Sequence, residues 1–149
     1  MGCLRGIAPL ALPGVFPTTG GNRQAIVTGP PMGGIREAYR FFKRWHRSRG
    51  SDLTIGKRMP GILRRAGFDR VDIGASHEIK SSRGSVTAHA RMLGGLFEPG
   101  GGIRETALAR GWANEARLDR MADAWRRWGA DPDAFVVFVL CEMVAHKAE

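Results

Sequence analysis

From Ile35 onward the apolar residues fall on regular spacings, first of the helical kind and then of the extended kind. Ile35, Ala38, Phe42 and Trp45 recur at three- and four-residue intervals, with Arg36, Arg40, Lys43 and Arg47 between them. That pattern predicts an amphipathic helix, ended by Gly50. Asp52 or Thr54 can cap a second helix, with Ile55, Met59, Ile62, Leu63 and Ala66 as its buried stripe. Pro60 fits this helix only if it starts near Met59, because proline is tolerated in a first turn and not deeper. Arg64, Arg65 and Gly67 mark its end: cations suit the last turn, and glycine suits the left-handed position beyond it.

A strand follows directly, from Phe68 to Ala75, with Phe68, Val71, Ile73 and Ala75 as its apolar positions. Ser82 to Phe97 is predicted as a helix through Val86, Ala90, Leu93 and Phe97, and Ile103 to Arg110 as a short one. Asn114 is a good cap for the clearest helix, Asn114 to Trp128, whose stripe is Leu118, Met121, Ala122 and Trp125. After the turn Asp131-Pro132-Asp133, Phe135 to Val144 is the most apolar stretch of the chain. Apolar residues on both alternating faces place that strand inside a sheet. A central strand needs two neighbours. The sequence offers a good one at Val71–Ala75 and a poor one at Gln24–Thr28, so the sheet reads as incomplete.

Residues 1–34 read differently. They are dense in glycine and proline, which punctuate helices and strands, so they are expected to form a mostly irregular leader ahead of a domain over residues 35–149. The fold class is α/β: helices packed on a small sheet that ends in an antiparallel pair, 68–76 with 135–145.

Composition changes this picture little. The chain has 149 residues, 43% apolar and 25% charged, the balance of an ordinary globular domain. No apolar run approaches the roughly 20 residues that span a bilayer. Ile7 to Leu12 is a faint signal-like patch, but Pro9 and Pro13 interrupt it. Cys3 and Cys141 make no disulfide framework, and free cysteine fits a cytoplasmic protein. The net charge of +9 raises the question of nucleic acid, yet the arginines are spread over several helices rather than gathered in one run.

Candidate chemistry is sparse. Gly100-Gly101-Gly102 precedes a helix whose free amides would suit an anion, but it lacks the spacing of a nucleotide-binding fingerprint. His46, His77, His89 and His146 have no partners at metal-ligand spacing, so no metal site is expected. His46 reads as a general base or a surface histidine, and His77-Glu78 as a functional loop or an ordinary polar turn after a strand. Phe41, Phe42, Trp45 and Trp112 either line an apolar pocket or pack in the core.

The order of elements carries a resemblance. The segment Asp52-x-x-Ile55-Gly56-Lys57-Arg58-Met59-Pro60-x-Ile62-Leu63-Arg64-x-Ala66-Gly67-Phe68-x-x-Val71 resembles the last helix and sixth strand of class I S-adenosylmethionine-dependent methyltransferases. It is most similar to the small-molecule branch of the ubiquinone/menaquinone C-methyltransferase type. Leu118-x-x-Met121-x-x-Ala124-Trp125-x-x-Trp128, then Asp131-Pro132-Asp133-Ala134-Phe135 and the final strand, are similar to the C-terminal end of that group. The resemblance covers about residues 35–147 and implies a partial Rossmann-like sheet whose seventh strand inserts antiparallel between the fifth and sixth. It implies S-adenosylmethionine as the family's cofactor and a small-molecule methyl acceptor as partner.

The family's acidic-x-Gly-x-Gly-x-Gly loop and the acidic end of its second strand have no match here, so no cofactor-binding residue carries over. Family acceptors approach near the loop and helix after the fifth strand, which makes Phe41, Trp45 and Arg58 the substrate-pocket candidates. The expectation is a truncated or degenerate methyltransferase, inactive alone. The alternatives are a half-enzyme completed by another chain and a basic nucleic-acid-binding module; the incomplete sheet also offers a route to an oligomer.

Overall fold

A computed structural model describes residues 15–147, with side chains from Ile26 onward. The elements in order are β1 (Val15–Gly29), α1 (Gly33–Ser48), a 3-10 turn (Ile55–Lys57), α2 (Met59–Arg65), β2 (Arg70–Lys80), α3 (Arg83–Gly94), α4 (Gly102–Ala109), α5 (Glu115–Ala130) and β3 (Phe135–His146). The architecture is mixed α/β, with five α-helices and one three-stranded sheet among the described residues. Cys3 and the Ile7–Leu12 patch lie outside the described residues.

The strand order is β1-β3-β2, and β3 is antiparallel to both neighbours. The expected pairing of the sixties and seventies with the final strand is present. It runs from Arg70↔His146 to Lys80↔Val136 without a break. Two expectations are corrected. β1 is not a short segment at Gln24–Thr28 in an irregular leader; it pairs with β3 from Val15↔His146 to Gly29↔Phe135, with one register shift between Gly21 and Ile26. The central strand therefore has both of its neighbours. His77 and Glu78, in turn, are not a turn after a strand but part of β2, opposite Val139 and Phe138. β3 extends far enough to keep donating and accepting across the ladder to Lys80.

Alternation divides β3 between two layers. Val136 and Phe138 are buried under the main helical layer, while Met143 and Ala145 point the other way and pack with Leu63 of α2. The main core joins α1, α3, α4 and α5 through Ile35, Val86, Leu93, Ile103, Leu118, Met121 and the two tryptophans of α5. Burying each large apolar side chain of this kind contributes about 1.5–3 kcal/mol. Trp125 and Trp128 meet edge to face at 5.6 Å, and Tyr39 meets Trp125 likewise at 5.3 Å. Arg104 is also buried; it donates to the Phe97 carbonyl at 3.2 Å and to Asp119 Oδ1 at 2.6 Å.

The helix ends follow the local chemistry. Asn114 Oδ1 accepts from the Arg117 amide at 3.0 Å and Ser82 Oγ from the Ser85 amide at 3.3 Å, each satisfying an amide that the helix leaves open. Pro60 sits in the first turn of α2, where its missing N–H is harmless. The stripe expected for α2 is only partly buried. Leu63 is inside, whereas Ala66 is exposed, because the helix ends at Arg65.

The cleft between the first strand and the first helix

The end of β1 is held in place by the last helix. Trp128 Nε1 donates to the Gly29 carbonyl at 2.9 Å, and any Cβ on Gly29 would run into the Phe135 ring. The chain then passes through a cis Gly29–Pro30 bond and Pro31-Met32 into α1. α1 buries Ile35, Ala38, Tyr39, Phe41 and Phe42, as its period requires, and turns Arg36 and Arg40 outward.

Between the end of β1 and this helix lies a cleft of about 580 Å³, within the usual range for small-molecule sites. Ile26, Val27, Pro31 and Met32 form an apolar wall, and Arg36, Arg40 and Lys43 form a cationic one. Tyr39 closes the floor; its hydroxyl shares a 3.1 Å hydrogen bond with Nε2 of the buried His89. The His89 ring stands edge-on to Trp125, Trp128 and Phe138, at 5.4 to 6.1 Å. A second, smaller cleft on the other flank of α1 shares Arg36 and Arg40 and is closed by Phe41, Arg44 and Arg117.

The three sequence-predicted pocket residues do not converge. Phe41 is buried and forms one wall of the smaller cleft, with the Arg117 guanidinium 5.1 Å above its ring. Trp45 packs against the core from the far side, its Nε1 donating to Thr106 Oγ1 at 3.1 Å and its ring lying against Gly102. Arg58 is exposed beyond the 3-10 turn and pairs with Asp52 at 2.5 Å. Thr54, through its hydroxyl and its amide, and then Arg58 hold the Asp52 carboxyl below its ordinary value of 3.8. The residues that sequence reasoning missed are Arg36, Arg40 and Lys43. Their signal lies in the polar half of the α1 repeat, between the apolar positions.

The glycine run offers no anion site. The amides of Ile103 and Arg104, at the start of α4, both donate to the Leu96 carbonyl, at 3.1 and 3.0 Å, and the Gly101 amide donates to Glu98. These donors are already used. Phe42 is buried, and Trp45 and Trp112 pack against the same core, so of the four aromatic residues Phe41 alone lines one of these clefts. No group of three metal-ligating side chains converges among the described residues. No helix among them is long and apolar enough to cross a membrane. Comparison with family models and with curated proteins finds no match.

Proposed function

We propose that this chain is the closing part of a class I S-adenosylmethionine-dependent methyltransferase domain, of the type that methylates small molecules, and that it is inactive alone. One observation supports the reading above all others. β3 runs antiparallel between β1 and β2, which are parallel to each other and are joined through α1 and α2. That is the placement the resemblance implies for the fifth, seventh and sixth strands. In this reading the methyl donor is held by residues outside the sequence, since the acidic-x-Gly-x-Gly-x-Gly loop has no match in it. The acceptor approaches the cleft at the end of β1.

Translating the DNA upstream of the gene in all three frames tests the lineage. A strand-like segment ending in an acidic residue and followed by Gly-x-Gly-x-Gly is expected; a long upstream region without it overturns the reading. Isothermal titration tests the donor site. No heat is expected from S-adenosylmethionine and the chain alone, and clear binding would show a donor site that the proposal denies.

A half-enzyme completed by a second chain is the other reading. It is favoured by the outer edge of β1, which pairs with no strand among the described residues.

A further inference from the structure

We propose that the cleft between β1 and α1 is a binding site for a small amphipathic anion, a carboxylate or phosphate carried on an apolar body. The cleft joins two unlike walls. Ile26, Pro31 and Met32 present apolar surface. Facing them, Arg36, Arg40 and Lys43 stand at successive turns of α1. None of the three takes part in an ion pair with a described residue, and no acidic side chain lines the cleft. Two neighbouring arginines differ. Arg117 is matched by Glu37 at 2.6 Å, and Arg44 lies over the Trp112 ring at 4.2 Å.

Cations gathered without counter-charges repel one another, and an anion seated among them relieves that repulsion while its apolar body covers Ile26 and Met32. Guanidinium groups suit this role because their planar donors meet carboxylate or phosphate oxygens in pairs. A second copy of the chain fits poorly, since symmetric docking on β1 would bring two such cationic rows together. That the anion is the methyl acceptor rests on the reading above; the preference for an anion rests on the cleft alone.

Backbone amide NMR on the full chain tests the site, with octanoate, octyl phosphate, octylammonium and inorganic phosphate as probes below their micelle limits. Octanoate or octyl phosphate is expected to shift the amides of Thr28, Gly33, Arg36 and Arg40, and the tighter of the two identifies the head group. Octylammonium should leave them in place, and inorganic phosphate should bind more weakly than octyl phosphate. The exposed double variant R36Q/R40Q should weaken binding about tenfold or more, the effect of losing charge-assisted hydrogen bonds. R64Q/R65Q, with the same loss of charge on α2, should bind as the parent does.

Several outcomes overturn the proposal: no saturable shift, equal binding of octylammonium, or equal loss in both variants. A thymidine 20-mer that displaces octanoate and also shifts Arg44 and Arg47 overturns it in favour of a nucleic-acid surface. Failure here leaves the upstream-motif test untouched, and failure of that test leaves anion binding untouched.

Discussion

The indole N–H of Trp128 and the carbonyl of Gly29 are 99 residues apart and hydrogen-bonded at 2.9 Å, in the buried core. This bond ties the last helix to the end of the first strand, where the candidate cleft opens. Trp128→Phe keeps the aromatic bulk but leaves the buried carbonyl without this donor. A loss of about 1–3 kcal/mol is expected, read by urea unfolding. Amide exchange at Thr28 should quicken more than exchange in α4.

Arg104 and Asp119 give a second measurable case. The guanidinium is only 10% exposed, while its carboxylate partner is 58% exposed, so solvent screens one side of the pair. Asp119→Asn is expected to cost about 1–2 kcal/mol, less than the 3–5 kcal/mol typical of breaking a fully buried pair. The Phe97 carbonyl still accepts from the same terminal nitrogen, Nη1, of the arginine. Chemical denaturation in low and high salt checks the value, and an unchanged midpoint would contradict the assigned burial.

Helices α3 and α5 approach closely because Gly129 faces Ala90; a Cβ on Gly129 would collide with the Ala90 methyl. Gly129→Ala gains about 1 kcal/mol of helix propensity but incurs an overpacking cost of about 1–3 kcal/mol. Net destabilisation is expected. Adding Ala90→Gly should relieve the collision, so the double variant is more stable than the two single effects sum to. Strict additivity would show that the helices do not meet there.

Asp52 predicts a pH effect with a definite sign. Its carboxyl is held below 3.8, first by Thr54 and then by Arg58. A group whose pKa is lowered by folding adds stability above its unfolded value, and that stability is lost as pH falls through the folded value. Carbon-detected NMR titration of the carboxyl should find a midpoint below 3.8. Thr54→Val should raise that midpoint more than Arg58→Gln does; the reverse order would make the ion pair the main cause.

Much of this fold was readable in the sequence where local chemistry decides it. The three- and four-residue spacing of Ile35, Ala38 and Phe42, the Asn114 cap and the apolar run from Phe135 each specify an element without help from distant residues. β1 was not readable in the same way. Its segment contains Pro17 and Gly20-Gly21, which argue against a strand, and its extended form depends on pairing with β3 rather than on intrinsic preference. The same dependence concealed the full length of β2. The cleft was missed for a related reason. The resemblance points to Phe41, Trp45 and Arg58, of which the first two pack against the core and the third lies beyond the 3-10 turn, whereas the cations of the cleft occupy the face of α1 toward β1.

The central position of β3 has a consequence for synthesis on the ribosome. Both flanking strands hydrogen-bond to it, and Gly29 meets Phe135 more than a hundred residues later in the chain. While the helices are being made, β1 and β2 emerge from the exit tunnel with no ladder to join. The sheet closes in one late step, and contacts so distant in sequence are slow to form. Until then the nascent chain carries two unsatisfied strands, the condition under which chaperones are most needed. A premature stop codon anywhere before Phe135 would cost the protein its whole sheet, not merely its last strand.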